Sequence, residues 1–218
     1  MRRFVAPLLA GLGIALIPVF AHAAAPSPSI ATSAPAVRAY AGVLRKINPQ
    51  MPVWQSREFA KHLLVNANRW KLDANMLVAL VSVESAWHTH ARSWAGAIGL
   101  GQLMPGTAAT LHVDPSDPYQ NLQGAARYLY GLLSKYRDKP NRYALTFAAY
   151  NAGPRAVAEF GGIPPFAETQ HYVVKVMSAW HRVRLSVHIP KLREQPVRTA
   201  VAAGAISPDL AYWTAASR

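Results

Sequence analysis

Apolar residues recur at intervals of three and four positions from about residue 54 to residue 184, and no segment alternates apolar and polar residues over the length of a strand. These intervals place side chains on one face of an α-helix. The sequence therefore predicts an all-α domain of about seven helices. Since the chain contains no cysteine, packing alone must hold this fold together.

Polar residues that precede the apolar segments predict where helices begin. Ser56, Asp73, Asp117 and Asn141 each stand at the start of a helical pattern. Side chains of these types accept hydrogen bonds from the free N–H groups of a first helical turn. Gly153 follows the segment that Asn141 opens, and glycine at this place ends helices.

The first 23 residues have the pattern of a secretory signal peptide. Arg2 and Arg3 precede an apolar stretch at 5–20, and Ala21 and Ala23 supply the small residues of a cleavage site. The stretch is short for a membrane span and contains two prolines, so an uncleaved anchor is the weaker alternative. We expect export to the periplasm, or outside the cell, with cleavage after Ala23.

The rest of the chain divides by composition. Residues 24–52 begin with a run rich in alanine, proline and serine, which is typical of a linker, and residues 37–47 suit a short helix. The helical domain is expected at 53–184. Residues 185–218 contain three prolines and form a C-terminal extension whose role the sequence does not define.

The net charge indicates the kind of partner. It is +13 at pH 7, and removal of Arg2 and Arg3 with a signal peptide lowers it to +11. A basic surface attracts nucleic acid, anionic membranes or acidic wall polymers. The basic residues are scattered without a run of five, which argues against a nucleic-acid arm. A surface that is simply far from neutrality explains the charge equally well.

Glu84 stands at the end of an apolar helical segment. Leu80 and Val81 precede it by four and three positions, and Trp87 and His88 follow at three and four, so all five residues would share one helix face. Burial of a carboxyl raises its pKa, and a carboxylic acid that is protonated near neutral pH can donate a proton to a leaving oxygen. The alternative is a structural ion pair with an arginine or lysine.

The other acidic residues offer little for a second catalytic carboxylate. Most stand at helix caps or in turns, and only Glu168, in "PPFAETQHY", has aromatic and polar neighbours that suggest a cleft. Its alternative is an acid in the first turn of a helix. His88 and His90 have no third ligand at a fitting spacing. The sequence thus predicts chemistry with one acid, no metal and no cofactor.

Five blocks occur in order between about residues 77 and 183: "ESAW", "SWAGAIGLGQLMPGTA", "NLQGAARYL", "AAYNAG" and "ETQHYVVKV". With them the chain resembles the soluble lytic transglycosylase family. The resemblance implies a lysozyme-like, compact helical domain with a substrate cleft at 53–184. It also implies cleavage of the β-1,4 bond between N-acetylmuramic acid and N-acetylglucosamine in peptidoglycan, which leaves a 1,6-anhydromuramoyl end.

The resemblance assigns roles to residues of these blocks. Glu84 matches the family's single glutamate, which acts first as acid and then as base while the substrate's N-acetyl group stabilises the cationic centre. The substrate-binding residues that we expect are Ser85, Gln102, Met104, Tyr150, Asn151, Glu168 and Tyr172. One departure concerns Gly101, since "GLGQLMP" stands where "GLMQLMP" is common in the family; a side chain that usually lines the sugar site is then missing.

Two other functions share this fold. A goose-type lysozyme-like hydrolase would use water in place of the internal hydroxyl, and a glycan-binding or assembly module would have kept the fold without activity. The glycan strands of peptidoglycan are the expected partner. Compact relatives also open the wall for secretion or other envelope-spanning assemblies, and the sequence does not choose between such a role and wall recycling. It does not define the oligomeric state.

Overall fold

The computed structural model describes residues 33–187. Eight α-helices and their connecting loops form this part of the chain, and within it the only β-structure is two isolated bridges. The helices are α1 Ala34–Ile47, α2 Val53–Arg69, α3 Ala74–Ser85, α4 Pro105–Thr110, α5 Pro118–Lys135, α6 Arg142–Ala152, α7 Pro154–Glu159 and α8 Ala167–Ser186. This confirms the all-α class. The expected signal peptide, the start of the linker and nearly all of the C-terminal extension lie outside the described residues.

Three of the predicted helix boundaries are confirmed. The carboxylate of Asp73 accepts the N–H of Asn75, 2.8 Å away, at the start of α3. That of Asp117 caps α5 through the N–H groups of its first turn. Gly153 ends α6 with a φ of 86°, a backbone conformation that favours glycine.

The predicted start of α2 at Ser56 is wrong. The helix begins at Val53, directly after Pro52, and Ser56 lies inside it with its hydroxyl donating to the Val53 carbonyl at 2.8 Å. Serine hydroxyls satisfy themselves in this way within helices, so the residue type alone does not identify a cap. Asn141 does precede α6, but its side chain makes no capping hydrogen bond.

Helix α3 lies at the centre of the fold. Its residues from Met76 to Val81 are all buried, which requires neighbours on every side of the helix. Helix α8 packs along α3, and α2 also contacts it; α5 packs against α2 and α6, and α6 packs against α8. The segment that leads to Glu84 is therefore held by packing against neighbouring helices.

Residues 34–47 form α1, which confirms the short helix expected at 37–47 and begins it three residues earlier. This helix packs on α2 and buries several side chains, including Tyr40 and Leu44. The hydroxyl of Tyr40 donates to Oδ1 of Asn75 at 3.0 Å, joining α1 to α3. The core therefore begins well before residue 53. Within residues 33–187 no helix has both the length and the apolar character of a membrane span.

Candidate active site

Glu84 is the last but one residue of α3, and the helix stops just beyond it. Ala86 and Trp87 have left-handed backbone angles, with φ of 48° and 63°. The expectation that Trp87 and His88 continue the face of Glu84 is therefore wrong. Instead Trp87 turns into the core against Phe59, with ring centroids 6.0 Å apart, while His88 is exposed.

Side-chain hydrogen bonds hold this unusual turn. The hydroxyl of Ser85 donates to the Leu100 carbonyl at 2.8 Å and accepts the N–H of Trp87 at 3.2 Å. Nδ2 of Asn48 donates to the Trp87 carbonyl at 3.3 Å. Left-handed residues other than glycine cost about 1–2 kcal/mol each, and these bonds offset that cost. Ser85 is buried and acts on the backbone, so it positions Glu84 and the following loop.

The environment of Glu84 raises its pKa to about 7. Burial is the main cause; the negative charge of Glu168 adds to it, and a hydrogen bond from the Tyr172 hydroxyl opposes it. The side chain is only partly covered, so the carboxyl meets both the core and solvent. Within the described residues the one salt bridge joins Lys61 to Glu58, which argues against the structural ion pair considered for Glu84.

Two tyrosines lie beside this carboxyl. Burial, together with the charge of Glu84, raises the pKa of the Tyr150 and Tyr172 hydroxyls well above the ordinary value. Both hydroxyls therefore keep their protons and act as donors. Tyr172 donates to Glu84, whereas Tyr150 donates to the Gly101 carbonyl at 2.8 Å. The ring of Tyr150 packs against Tyr128, with centroids 5.2 Å apart.

Asn121 anchors the Gly-rich loop at residues 95–106, a role that was not expected from the sequence. It is fully buried on α5. Its Oδ1 accepts the N–H of Gly101 at 2.7 Å, and its Nδ2 donates to the carbonyls of Ile98 and Pro115 at 2.7 and 2.9 Å. A buried asparagine needs such partners, so a polar residue on the apolar face of α5 was the available signal.

Gly101 is tightly packed against α5 and Tyr150. A Cβ atom on Gly101 would overlap the Cβ of Ala125 and lie 3.1 Å from the Tyr150 hydroxyl. Position 101 therefore faces α5 and Tyr150, and glycine is needed for the loop to approach that closely. The structure thus gives a packing reason for glycine at position 101 of this chain.

A cavity of about 230 Å³ opens beside Tyr150. It brings together four of the expected site residues, since Gln102, Met104, Tyr150 and Asn151 line it together with Leu103, Thr107, Tyr128, Ala152 and Gly153. Gln102 has a left-handed φ of 46°, and its Nε2 donates to the carbonyls of Ala91 and Gly99 at 3.0 Å each. Its side-chain oxygen forms no hydrogen bond with the described residues.

Asn151, which lines the cavity, contacts Glu168. Nδ2 of Asn151 donates to Oε1 of Glu168 at 3.3 Å, and its Oδ1 accepts the hydroxyl of the buried Thr169 at 2.7 Å. Glu168 is exposed in the first turn of α8, the position that its structural alternative predicted. Its charge still raises the pKa of Glu84, so both carboxyls belong to one site.

Known proteins share this arrangement of elements. The family model for the transglycosylase SLT domain matches residues 63–173. Membrane-bound lytic murein transglycosylase F of Pseudomonas fluorescens is 34% identical over 118 residues, which cover 50% of this chain and 24% of that protein. A transglycosylase of Enterobacteria phage PRD1 is 36% identical over 110 residues, covering 50% of this chain and 38% of the phage protein.

A solved structure extends the likeness to the fold. The X-ray structure of an inactive glutamate-to-glutamine mutant of lytic transglycosylase Slt from Pseudomonas aeruginosa matches 71% of this chain and 31% of that one, with 25% identity and a TM-score of 0.53. The lysozyme-like helical fold is thus confirmed. The chain spans about a quarter of the length of the first of these relatives.

The region that matches the family model, residues 63–173, contains the central residues of the site. It includes Glu84, the Gly-rich loop, Tyr150 and Tyr172, and it covers half of the chain. This protein therefore belongs to the transglycosylase SLT domain family.

Proposed function

We propose that this chain is a lytic transglycosylase that cleaves the β-1,4 bond between N-acetylmuramic acid and N-acetylglucosamine in peptidoglycan. The observation that carries the proposal is the partly buried carboxyl of Glu84, whose pKa is about 7 and which faces a tyrosine donor and no cation within the described residues. Family membership and relatives named lytic murein transglycosylases support the same activity.

Glu84 acts first as the acid. In the protonated form it donates its proton to the oxygen that links C1 of the muramic residue to the leaving N-acetylglucosamine, and the bond from C1 to that oxygen breaks. The substrate's own N-acetyl group stabilises the positive charge on C1. The Tyr172 hydroxyl then stabilises the Glu84 carboxylate that remains, because it donates to the same oxygen in the structure.

Glu84 acts next as the base. Its carboxylate takes the proton of the C6 hydroxyl of the muramic residue while O6 bonds to C1. The product is a 1,6-anhydromuramoyl end, no water is consumed, and Glu84 returns to its protonated form. A pKa of about 7 suits both steps, because the proton is given and taken at similar free-energy cost near neutral pH.

The neighbouring residues have supporting roles in this proposal. Gln102, Met104, Tyr150 and Asn151 line the cavity and bind the sugar rings and acetamido groups, with the free oxygen of Gln102 as one acceptor. Ser85 positions α3 and the loop through its backbone hydrogen bonds.

Glu168 is the residue on which the hydrolase alternative depends. Most glycosidases that hydrolyse their substrate use two carboxylates, and Glu168 is close enough to Glu84 to raise its pKa. However, Glu168 is exposed and accepts a hydrogen bond from Asn151, an arrangement that suits orientation of Asn151 better than activation of a water. We therefore favour the lyase.

Digestion of purified peptidoglycan in water enriched in heavy oxygen tests the proposal. The lyase releases fragments that lack one water and carry no label, whereas a hydrolase releases labelled reducing ends. Glu84→Gln should abolish cleavage but retain binding to peptidoglycan. Glu168→Gln tests the hydrolase alternative, and it should still release the unlabelled anhydro product. Labelled products, or an active Glu84→Gln variant, would overturn the mechanism.

We also propose that the chain acts in the cell envelope, in the periplasm of a host with an outer membrane. The signal-peptide pattern of residues 1–23 and the net charge of +13, which favours an anionic wall, support this location. Fractionation of expressing cells and N-terminal sequencing test it, with Ala24 expected as the first residue of the exported form. A chain retained in the cytoplasm would contradict it.

A further inference from the structure

Trp94 lies at the tip of the loop that follows Glu84, and its side chain is 97% exposed. Tryptophan is among the residues with the largest apolar surface and is highly buried on average. Single exposed apolar residues are common on protein surfaces, so exposure alone does not assign a role. Two further features distinguish this one.

The first feature is the rigidity of the tip. The N–H of Ser93 donates to the Ala97 carbonyl at 3.0 Å, while its hydroxyl accepts the N–H of Ala97, also at 3.0 Å. The N–H of Gly96 closes the turn on the Ser93 carbonyl at 3.0 Å. Trp94 is thus presented to solvent on a fixed backbone, which reduces the entropy that a bound ligand would have to remove.

The second feature is continuity with the cavity. Arg92 forms a bridge with Ile98, and Ile98 forms the next one with Leu103, which lines the cavity beside Tyr150. Trp94 is two positions along the chain from Arg92 in this bridge, a span of at most about 7 Å. The tip therefore continues the bridged segment whose far member, Leu103, lines the cavity, and it belongs to the same loop that Asn121 anchors.

The charge of the loop is consistent with an anionic polymer. From Ala86 to Val113 the sequence contains no aspartate or glutamate, while Arg92 and three histidines occur there. Arg92, His88 and His90 are exposed. A flat aromatic ring two positions from an exposed guanidinium, that of Arg92, fits a sugar ring that carries acidic substituents, and peptidoglycan strands bear stem peptides with carboxylates.

We propose that Trp94 is a binding platform for the peptidoglycan strand outside the cavity, where its ring stacks on a sugar and holds the polymer as it continues past the cleavage site. The inference rests on the proposed function, because the strand that reaches Trp94 is the one that Glu84 cleaves.

Binding to insoluble peptidoglycan sacculi tests this in the Glu84→Gln background, where no cleavage interferes. Adding Trp94→Ala should weaken binding in a co-sedimentation assay by about three- to tenfold, the range expected for loss of one aromatic contact. Trp94→Phe should restore most of the affinity. Trp54→Ala, which removes a 64%-exposed tryptophan from α2, should leave binding unchanged.

Kinetics and fluorescence give independent readouts. In the active enzyme Trp94→Ala should raise KM for polymeric peptidoglycan. Tryptophan emission should shift to shorter wavelength when soluble glycan strands bind, and Trp94→Phe should remove that shift. If Trp94→Ala binds sacculi as tightly as its parent, or if Trp54→Ala weakens binding as much, the proposal for Trp94 is overturned. The proposed function would still stand. If the Glu84→Gln parent does not bind sacculi at all, both proposals fail.

Discussion

The hydroxyl of Tyr172, on α8, donates a hydrogen bond to Oε1 of Glu84, on α3. The two residues are 88 positions apart and meet because α8 packs along α3. This bond favours the ionised carboxylate, whereas burial and the charge of Glu168 favour the protonated acid. Their balance near pH 7 lets one side chain give and take a proton under physiological conditions.

Replacing Tyr172 should move the pH profile of the reaction. Since the carboxyl must be protonated before cleavage, kcat/KM should fall above about pH 7. Tyr172→Phe removes a bond that lowers the pKa of Glu84, so the decline should begin at higher pH. The maximal kcat/KM should drop about tenfold because the carboxyl loses an anchor. Turnover of peptidoglycan fragments measured across pH 5–9 checks this.

Glu168→Gln provides the opposite change. It removes a negative charge that raises the pKa of Glu84, so the decline should begin at lower pH than in the parent. Tyr130→Phe, at an exposed tyrosine away from the site, is the control and should leave the profile in place. A shift of both test variants in the same direction would contradict this electrostatic account.

Glu84→Gln should stabilise the fold at alkaline pH. The folded pKa of about 7 exceeds the ordinary 4.5, so the folded state binds the proton more tightly than the unfolded chain. That stabilisation is complete below pH 4.5 and is lost as pH rises through 7. Neutral glutamine escapes the loss, and the variant should gain about 1–3 kcal/mol over the parent at pH 8.

Urea unfolding of both proteins at pH 5 and pH 8 measures this difference. The advantage of the variant should be clearly smaller at pH 5. Glu159→Gln, at an exposed glutamate that ends α7, should change stability little at either pH. If the gain in stability of Glu84→Gln does not grow with pH, then burial does not raise the pKa of Glu84 in the folded state.

Gly101 and Ala125 should behave as a coupled pair. Gly101→Ala places a methyl group where it overlaps Ala125, and such overpacking costs about 1–3 kcal/mol. Ala125→Gly removes the overlap but costs about 1 kcal/mol of helix propensity in α5. The double variant should therefore be more stable than the sum of the single changes predicts.

A double-mutant cycle from thermal or urea unfolding checks the coupling. Gly131→Ala, in the same helix with open space around the added atom, should be stabilising by about 0.5–1 kcal/mol. Strict additivity of Gly101→Ala and Ala125→Gly would show that position 101 has another way to accommodate a side chain.

Asn121→Asp should loosen the loop beside the cavity. The carboxylate retains the acceptor for Gly101 but loses both donors, to Ile98 and Pro115. Leaving buried groups unpaired costs about 1–3 kcal/mol, and more for a charged group. We expect lower stability and reduced peptidoglycan cleavage. Asn141→Ala is the control, since this exposed asparagine makes no capping bond; equal effects of the two changes would contradict the role of Asn121.

Leu44→Ala tests whether α1 belongs to the domain. Leu44 is fully buried, and truncation of such a leucine costs about 2–5 kcal/mol. Leu185→Ala, at a leucine that is 76% exposed near the end of α8, should cost less than about 0.5 kcal/mol. Similar unfolding midpoints for the two variants would mean that α1 is dispensable to the core.

Local sequence patterns predicted where helices form better than which helices pack against each other. Asp73 and Asp117 cap their helices as expected because capping involves residues two or three positions apart. Ser56 misled because a serine hydroxyl inside a helix can bond to a carbonyl of the preceding turn. The helix expected at 37–47 is present as α1, but its place in the core was not predicted, because that depends on its packing against α2.

By itself the sequence determined the helical class and the block order of the family, and it pointed to Glu84 as the candidate acid in an apolar segment, since all of these depend on residue types at short spacing. Only the tertiary structure decided which tyrosine contacts Glu84, that Asn121 holds the loop, that Gly101 faces Ala125, and that α3 ends before Trp87. These features arise from contacts between residues far apart in the chain, and periodicity carries no information about such contacts.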